Sequence, residues 1–186
     1  MNMAELKAEL ERLHLASFGW ALSCCGRDRA AAEEVLQIVY LKIIEGKARF
    51  RGEASFKTWL FAVIRKTAIT EYRKNLLRKF RTVIKTGPSS EPDLVLDLPD
   101  AAFERSEMQL RFQRALATLP ARQREALHLV FYEHLSLSQA AKVMGISVGS
   151  ARQHYERGKR RLREALEQME RGYGIDWRRK ETPGAV

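Results

Sequence analysis

Residues 136–163 read SLSQAAKVMGISVGSARQHYERGKRRLR, and the fold turns on this stretch. Ser136 and Gln139 have the S-x-x-Q spacing of a capping box, in which a hydroxyl and an amide reciprocally satisfy the orphan amides of a helix start. A short helix is expected from there. Ala140 and Ala141 are small enough for a second helix to cross closely, and Gly145 ends the first in the left-handed conformation that a tight turn needs. Ile146 plugs the corner and Ser147 caps the next helix. On that helix Ala151, Tyr155, Gly158 and Leu162 recur at spacings of four, three and four, which makes one inward face. The other face is polar: Arg152, Gln153, His154, Glu156 and Arg157 point outward from the first turns, followed by Lys159, Arg160, Arg161 and Arg163. A recognition helix presents its first turns to base edges and its later cations to phosphates, so the pattern reads as a helix-turn-helix that binds DNA. A solvated face of a helical bundle has the same basic, amphipathic look. The preceding Leu116, Leu119, Pro120, Leu127, Val130 and Phe131 favour the first reading, because they supply the supporting helix that a short helix pair needs to bury a core.

The charge balance agrees with an anionic partner. The 186-residue chain carries 33 Lys and Arg against 23 Asp and Glu, a net charge of +10. Hydrophobic residues at 45% argue against wholesale disorder, and no apolar run approaches the roughly 20 residues that cross a bilayer. The start, MNMAELKAEL, is acidic and amphipathic rather than basic then apolar, so no secretory signal and no membrane insertion are expected, and the location expected is cytoplasmic. Cys24 and Cys25 are adjacent. Neighbours on a helix point about 100° apart, so a bridge between them would be strained and two buried or idle thiols are expected. No C-x-x-C or H-x-x-x-H spacing supports a metal or redox role with His14.

Charge also divides the chain. Residues 1–80 hold 15 basic and 9 acidic side chains, 81–105 hold 3 and 5, and 106–186 hold 15 and 9. The acidic bridge contains Gly87, Pro88, Ser89, Ser90, Pro92 and Pro99, the densest cluster of breakers, and is expected to be a linker. Its Leu94, Val95, Leu96 and Leu98 are apolar enough to dock on something. Upstream, Leu6, Leu10 and Leu13 line one helix face; Val35, Leu36, Val39, Tyr40 and Ile43 line another, which Gly46 ends. In FRGEASFKTWL, residues 50–60, Gly52 breaks the chain and Ser55 caps a helix carrying Phe56, Trp59, Leu60, Val63 and Ile64. Lys57, Arg65, Lys66, Arg73, Lys74, Arg78 and Lys79 accumulate along it with Tyr72 among them, a track for phosphates and platforms for bases such as single-stranded nucleic acid uses. For Phe56 and Trp59, core packing and a structural pocket are equally open. The fold class expected is all-α, with two small helical domains, 1–80 and 106–170, joined by a flexible acidic linker, 81–105, and followed by a tail, 171–186.

FRGEASFKTWL followed by Arg65, and then LPARQREALHLVFYEHLSLSQAAKVMGISVGSARQHYERGKRRLREAL over residues 119–166, resemble the two conserved domains of a sigma-70 family RNA polymerase sigma factor of the extracytoplasmic function (ECF) group. The resemblance covers nearly the whole chain and has both motifs in the family's order. It implies an all-helical protein that binds core RNA polymerase, captures the melted minus-ten strand with its first domain and reads the minus-thirty-five element with its second. It assigns Val35, Leu36, Gln37 and Tyr40 to the helix that docks on the polymerase clamp. It places Arg51, Gly52, Ser55, Phe56 and Trp59 at the pocket for an extruded base, with Arg65, Lys66 and Arg73 along the strand. Ser147, Arg152, Gln153, His154, Arg157 and Lys159 fall where the family contacts minus-thirty-five DNA. An anti-sigma factor or another restraint is implied as a partner, and no cofactor or metal. Where the family commonly has an acidic DAED stretch followed by Gln-Glu, the chain has Ala31, Ala32, Glu33 and Glu34 and then Gln37 with apolar Ile38; it also has Lys66 for a common Asn, His154 for a common Arg and Gly158 for a common Ala.

A two-domain repressor or activator, binding a palindromic duplex without polymerase, explains the helix-turn-helix equally well but leaves the aromatic and basic run from Arg51 to Lys79 without a use. Catalysis has nothing to rest on: four scattered histidines, no phosphate-cradling loop and no nucleophile paired with a base. The tail's Tyr173, Ile175 and Trp177 are expected to fold back onto a domain, with a regulatory contact as the alternative.

Overall fold

The computed structural model describes residues 2–86 and 107–173, with side chains over 2–78 and 111–169. The expected linker and the tail beyond Tyr173 lie outside the described residues. Helices are the only regular elements among those described. α1 (Met3–Arg12) opens on a capping box in which Asn2 and Glu5 exchange two 2.8 Å hydrogen bonds. α2 (His14–Cys24) follows directly through the buried Leu13. The Asp28 carboxylate caps α3 (Arg29–Ile44) by accepting from the Ala31 amide at 2.9 Å, and Gly46, at φ 70°, turns the chain beyond it. Ser55 caps the long α4 (Phe56–Thr86): its hydroxyl accepts from the Thr58 amide at 3.2 Å.

The C-terminal half comprises α5 (Glu107–Ala117), α6 (Ala121–Leu127), a π-helical turn (His128–Tyr132), α7 (Leu137–Met144) and α8 (Val148–Tyr173). The single supporting helix expected ahead of the helix-turn-helix is therefore two helices and a wide turn. Pro120, which has no amide to donate and a fixed φ, separates α5 from α6. The π turn, closed by the Glu133 amide on the His128 carbonyl at 3.1 Å, inserts an extra residue into the helical repeat. Leu129 stays buried while Phe131 swings out to 62% exposure, so Phe131 does not belong to the supporting core.

Within the first half α2, α3 and α4 pack on one another, and within the second α8 lies across α5, α6 and α7. The two halves share one apolar interior. Trp20, Leu60, Phe61 and Ile64 from α2 and α4 are fully buried in the same cluster as Leu129, Ala140, Val143 and Met144. α4 rests on α7 as extensively as α8 does.

Candidate nucleic-acid interface

The helix-turn-helix has the local chemistry its sequence demands. Ser136 Oγ accepts from the Gln139 amide at 3.2 Å, while Gln139 Oε1 accepts from the Ser136 amide at 2.8 Å. Gly145 sits at φ 64°, ψ 42°. Ser147 Oγ accepts from the Ser150 amide at 3.1 Å, which fixes the start of α8 and leaves that hydroxyl occupied as a cap. Ala151 and Gly158 are buried toward the supporting helices. Arg152, Gln153, Arg157 and Lys159 are exposed, and His154 is half-buried beside them. The Lys159 ammonium lies 5.3 Å from the centre of the Tyr155 ring and 3.6 Å from the Glu156 carboxylate, which holds it along the helix.

A second surface lies at the head of α4. The rings of Phe56 and Trp59 are 5.2 Å apart, and Phe50, a residue that sequence reading passed over, stands 5.4 Å from each. All three are half-buried, so they are at once packed and reachable. Arg51 and Gly52 are exposed beside them, Gly52 at φ 77°. Farther along, Lys66, Thr70, Arg73 and Leu77 follow at helical spacing on one exposed stripe, with Tyr72 next to it at 69% exposure. Arg65 departs from expectation: it is only 8% exposed and donates from Nε to Glu125 Oε1 of α6 at 3.2 Å. In this conformation the C-terminal half covers it.

On α3, which the resemblance assigns to the polymerase clamp, Val35 and Leu36 are 2% and 4% exposed and belong to the core. Gln37 is exposed, and Tyr40 is half-buried with its hydroxyl 3.1 Å from His14 Nδ1. The face that can be reached carries Gln37, Leu41 and Ile44, and the last two are each 57% exposed. The apolar periodicity that groups Val35 and Leu36 with Ala32, Val39 and Ile43 marks the core side and leaves Leu41 and Ile44 on the open side of α3.

The seam between the halves is polar at its rim and aromatic inside. Trp20 Nε1 donates to the Phe61 carbonyl at 2.9 Å; its ring stacks on Phe61 at 5.9 Å and lies 5.2 Å from His128. Lys57 Nζ donates to the Glu133 carbonyl at 2.9 Å and sits 2.8 Å from its carboxylate, which His128 Nε2 approaches at 3.4 Å. Burial pushes the Glu133 carboxyl up, but the His128 and Lys57 side chains beside it outweigh burial and hold the group below its ordinary value. Cys24 and Cys25 are free thiols. Burial, with the Asp28 and Glu34 carboxylates nearby, raises Cys25 to about 11, and burial raises Cys24 as well. Among the described residues no group of three or more His, Cys, Asp or Glu is placed to hold a metal ion, and no helix is long and apolar enough to cross a membrane.

Comparison with known proteins bears on both surfaces. The sigma-70 region 2 family matches residues 10–77, which include the aromatic head and most of α4, and the sigma-70 region 4 family matches residues 109–162, which include the helix-turn-helix. The chain is 30% identical over 145 residues to the RNA polymerase sigma factor SigZ of Bacillus subtilis, covering 75% of each protein. It is 29% identical over 144 residues to the ECF RNA polymerase sigma factor SigX of the same organism, covering 76% of this chain and 73% of SigX. Among solved structures, the sigma factor RpoE of Bartonella quintana, in complex with the anti-sigma factor NepR, superposes with a TM-score of 0.67 at 26% identity, over 88% of this chain and 97% of RpoE. With both family regions matched in order and curated sigma factors aligned over three quarters of its length, the chain belongs to the sigma-70 family of RNA polymerase sigma factors, in its ECF group.

Proposed function

We propose that this sigma factor attaches to core RNA polymerase through Gln37, Leu41 and Ile44 of α3 and directs initiation with two readers on one chain. Residues 1–80 form the first reader: Phe50, Phe56 and Trp59 receive an extruded base of the minus-ten strand, and Arg51, Lys66 and Arg73 follow its phosphates. Residues 106–170 form the second: Arg152, Gln153, His154 and Arg157 reach base edges of the minus-thirty-five duplex, with Lys159 toward the backbone. Residues 81–105 connect them. The observation that carries the reading is the pairing of an exposed recognition helix with a half-buried aromatic cluster beside an exposed cationic stripe. A regulator that bound only duplex DNA would need the first and have no use for the second.

Magnitudes explain the need for polymerase. Opening duplex DNA costs about 1.4 kcal/mol per step, while a stacked base returns about 1 to 3 kcal/mol. One or two captured bases do not offset several broken steps, so the chain alone does not melt a promoter. Its own contribution is specificity, and the chemistry of RNA synthesis stays with the polymerase in the cytoplasm. The structural relative solved with an anti-sigma factor supports a restraining partner of that kind here. Run-off transcription with purified core polymerase on promoter fragments tests the reading. Initiation that depends on the protein and falls with Trp59→Ala is the expected result; a duplex shift by the chain alone, with no initiation, would replace it by the regulator reading.

A further inference from the structure

The row of α4 that faces the interior runs on past the point where the interior ends. Phe61, Arg65 and Ala68 lie on it and are buried, and at the same helical spacing it continues through Tyr72 and Leu76, which are 69% and 41% exposed, with Leu77 beside them at 63%. A scattered apolar side chain needs no explanation, but large ones gathered on one open face mark a contact surface. Its border is basic. Arg73 and Lys74 are exposed alongside, and Glu71, the only acid in α4, is already engaged by Lys74 at 2.8 Å. The occupant that fits this face is therefore both apolar and acidic.

The chain carries such a segment a short way along its own sequence. Residues 91–100 read EPDLVLDLPD, in which Leu94, Val95, Leu96 and Leu98 are interleaved with Glu91, Asp93, Asp97 and Asp100, and no Lys or Arg occurs between Lys85 and Arg105. We infer that Tyr72, Leu76 and Leu77 form the docking surface for residues 93–98 of the same chain, with the leucines on the apolar row and the aspartates toward Arg73 and Lys74. The reach suffices. The tether from Thr86, where α4 ends, to Leu94 spans up to about 27 Å at about 3.4 Å per residue, and Leu76 stands only about 15 Å back from Thr86 at about 1.5 Å of helix rise per residue. From Leu98 to Glu107, where α5 begins, about 30 Å of chain remains for the return. A second copy fits the face less well, because a chain of net charge +10 repels its like. A nucleic-acid strand would satisfy the cations but leave the aliphatic Leu76 and Leu77 without apolar cover. Docking makes the linker a part of the first half rather than a plain tether, and its aspartates border the far end of the stripe that holds Lys66 and Arg73.

The test is limited thermolysin digestion of the full chain, read by mass spectrometry. Thermolysin cuts before large apolar residues, so Leu94 to Leu98 offer it sites that docking protects. Tyr72→Glu with Leu76→Glu should speed nicking there about tenfold at unaltered helical circular dichroism, whereas Leu15→Glu, on a side chain 84% exposed elsewhere, should leave it at the native rate. Asp93→Asn with Asp97→Asn leaves α4 and every apolar cleavage site intact and should also speed nicking, as should added salt, because the pairing is partly ionic and exposed. That second variant keeps the test valid if the α4 variant fails to fold. Unchanged nicking in either folded variant would overturn the assignment. Protection that fades on dilution would give the surface to a second copy instead, and weaker binding of a labelled oligothymidine by the α4 variant with unchanged nicking would give it to a strand. Digestion needs neither polymerase nor promoter, so failure of run-off transcription would leave its result standing.

Discussion

Arg152 stands exposed near the start of α8 with no acidic neighbour tied to it by a described ion pair, and the proposed reading aims it at a base edge. Arg152→Ala should weaken promoter-specific initiation by about 1 to 3 kcal/mol of base discrimination, roughly 5- to 150-fold, and relax the preference at one minus-thirty-five position. Run-off assays on single-base promoter variants would read both effects; uniform weakening across all variants would make Arg152 a phosphate contact instead. The cysteines make a quieter prediction. The thiolate is the reactive form, and burial holds Cys25 near 11 and lifts Cys24 too. Alkylation by iodoacetamide at neutral pH should therefore be far slower than for free cysteine and should accelerate only in strong base; rapid labelling of both at neutral pH would contradict the burial. Single residues were legible where a local rule fixes them. Ser136, Gly145 and Ser147 are of that kind, because a cap or a left-handed turn is decided within a few positions. Arg65 was not, since the partner that covers it, Glu125, is 60 residues away.

Elements carry the next set of consequences. A Cβ added at Gly158 would meet the Gln123 carbonyl oxygen at 3.1 Å and Leu127 carbons at 3.2 Å, where α8 crosses α6. Gly158→Ala should destabilise the chain by about 1 to 3 kcal/mol through overpacking, despite the better helix propensity of alanine. A lowered thermal midpoint would show it; a raised midpoint would mean that α6 yields easily. Ser136→Ala removes half of the capping box and should cost about 1 kcal/mol, seen as a shifted denaturant midpoint at constant slope. The helices themselves were readable from periodicity. Their rotation was readable too: on α3, Val35 and Leu36 share the stripe of Ala32, Val39 and Ile43, and that stripe is the core face. The π turn had no sequence signature, because an inserted residue shows only in how Leu129 and Phe131 end up facing opposite ways.

At the scale of the whole molecule, acid should loosen the seam. The Glu133 carboxyl titrates in the folded chain below its ordinary 4.5. Its stabilising contribution is therefore present in full above that ordinary value and is lost as pH falls through the lower, folded one. The thermal midpoint should drop over that acid window, and the drop should be shallower in Glu133→Gln; parallel curves would show that Glu133 is uncoupled from folding. The two-part helical architecture was visible in the sequence through charge blocks and breakers. Closure of one part on the other was not. Lys57 and Glu133 lie 76 positions apart and Arg65 and Glu125 lie 60 apart, and nothing in one sequence announces which cation will find which distant carboxylate.

Trp20 gives the molecule an optical gauge of its own. It is fully buried at the seam, hydrogen-bonded to the Phe61 carbonyl and flanked by His128 from the opposite half. Of the chain's three tryptophans the others are Trp59 and Trp177. With both replaced by phenylalanine, the remaining indole would report the parting of the halves as a red shift in its emission when water reaches it. Closure could then be followed in real time, in an unlabelled protein, as polymerase or a DNA strand is added.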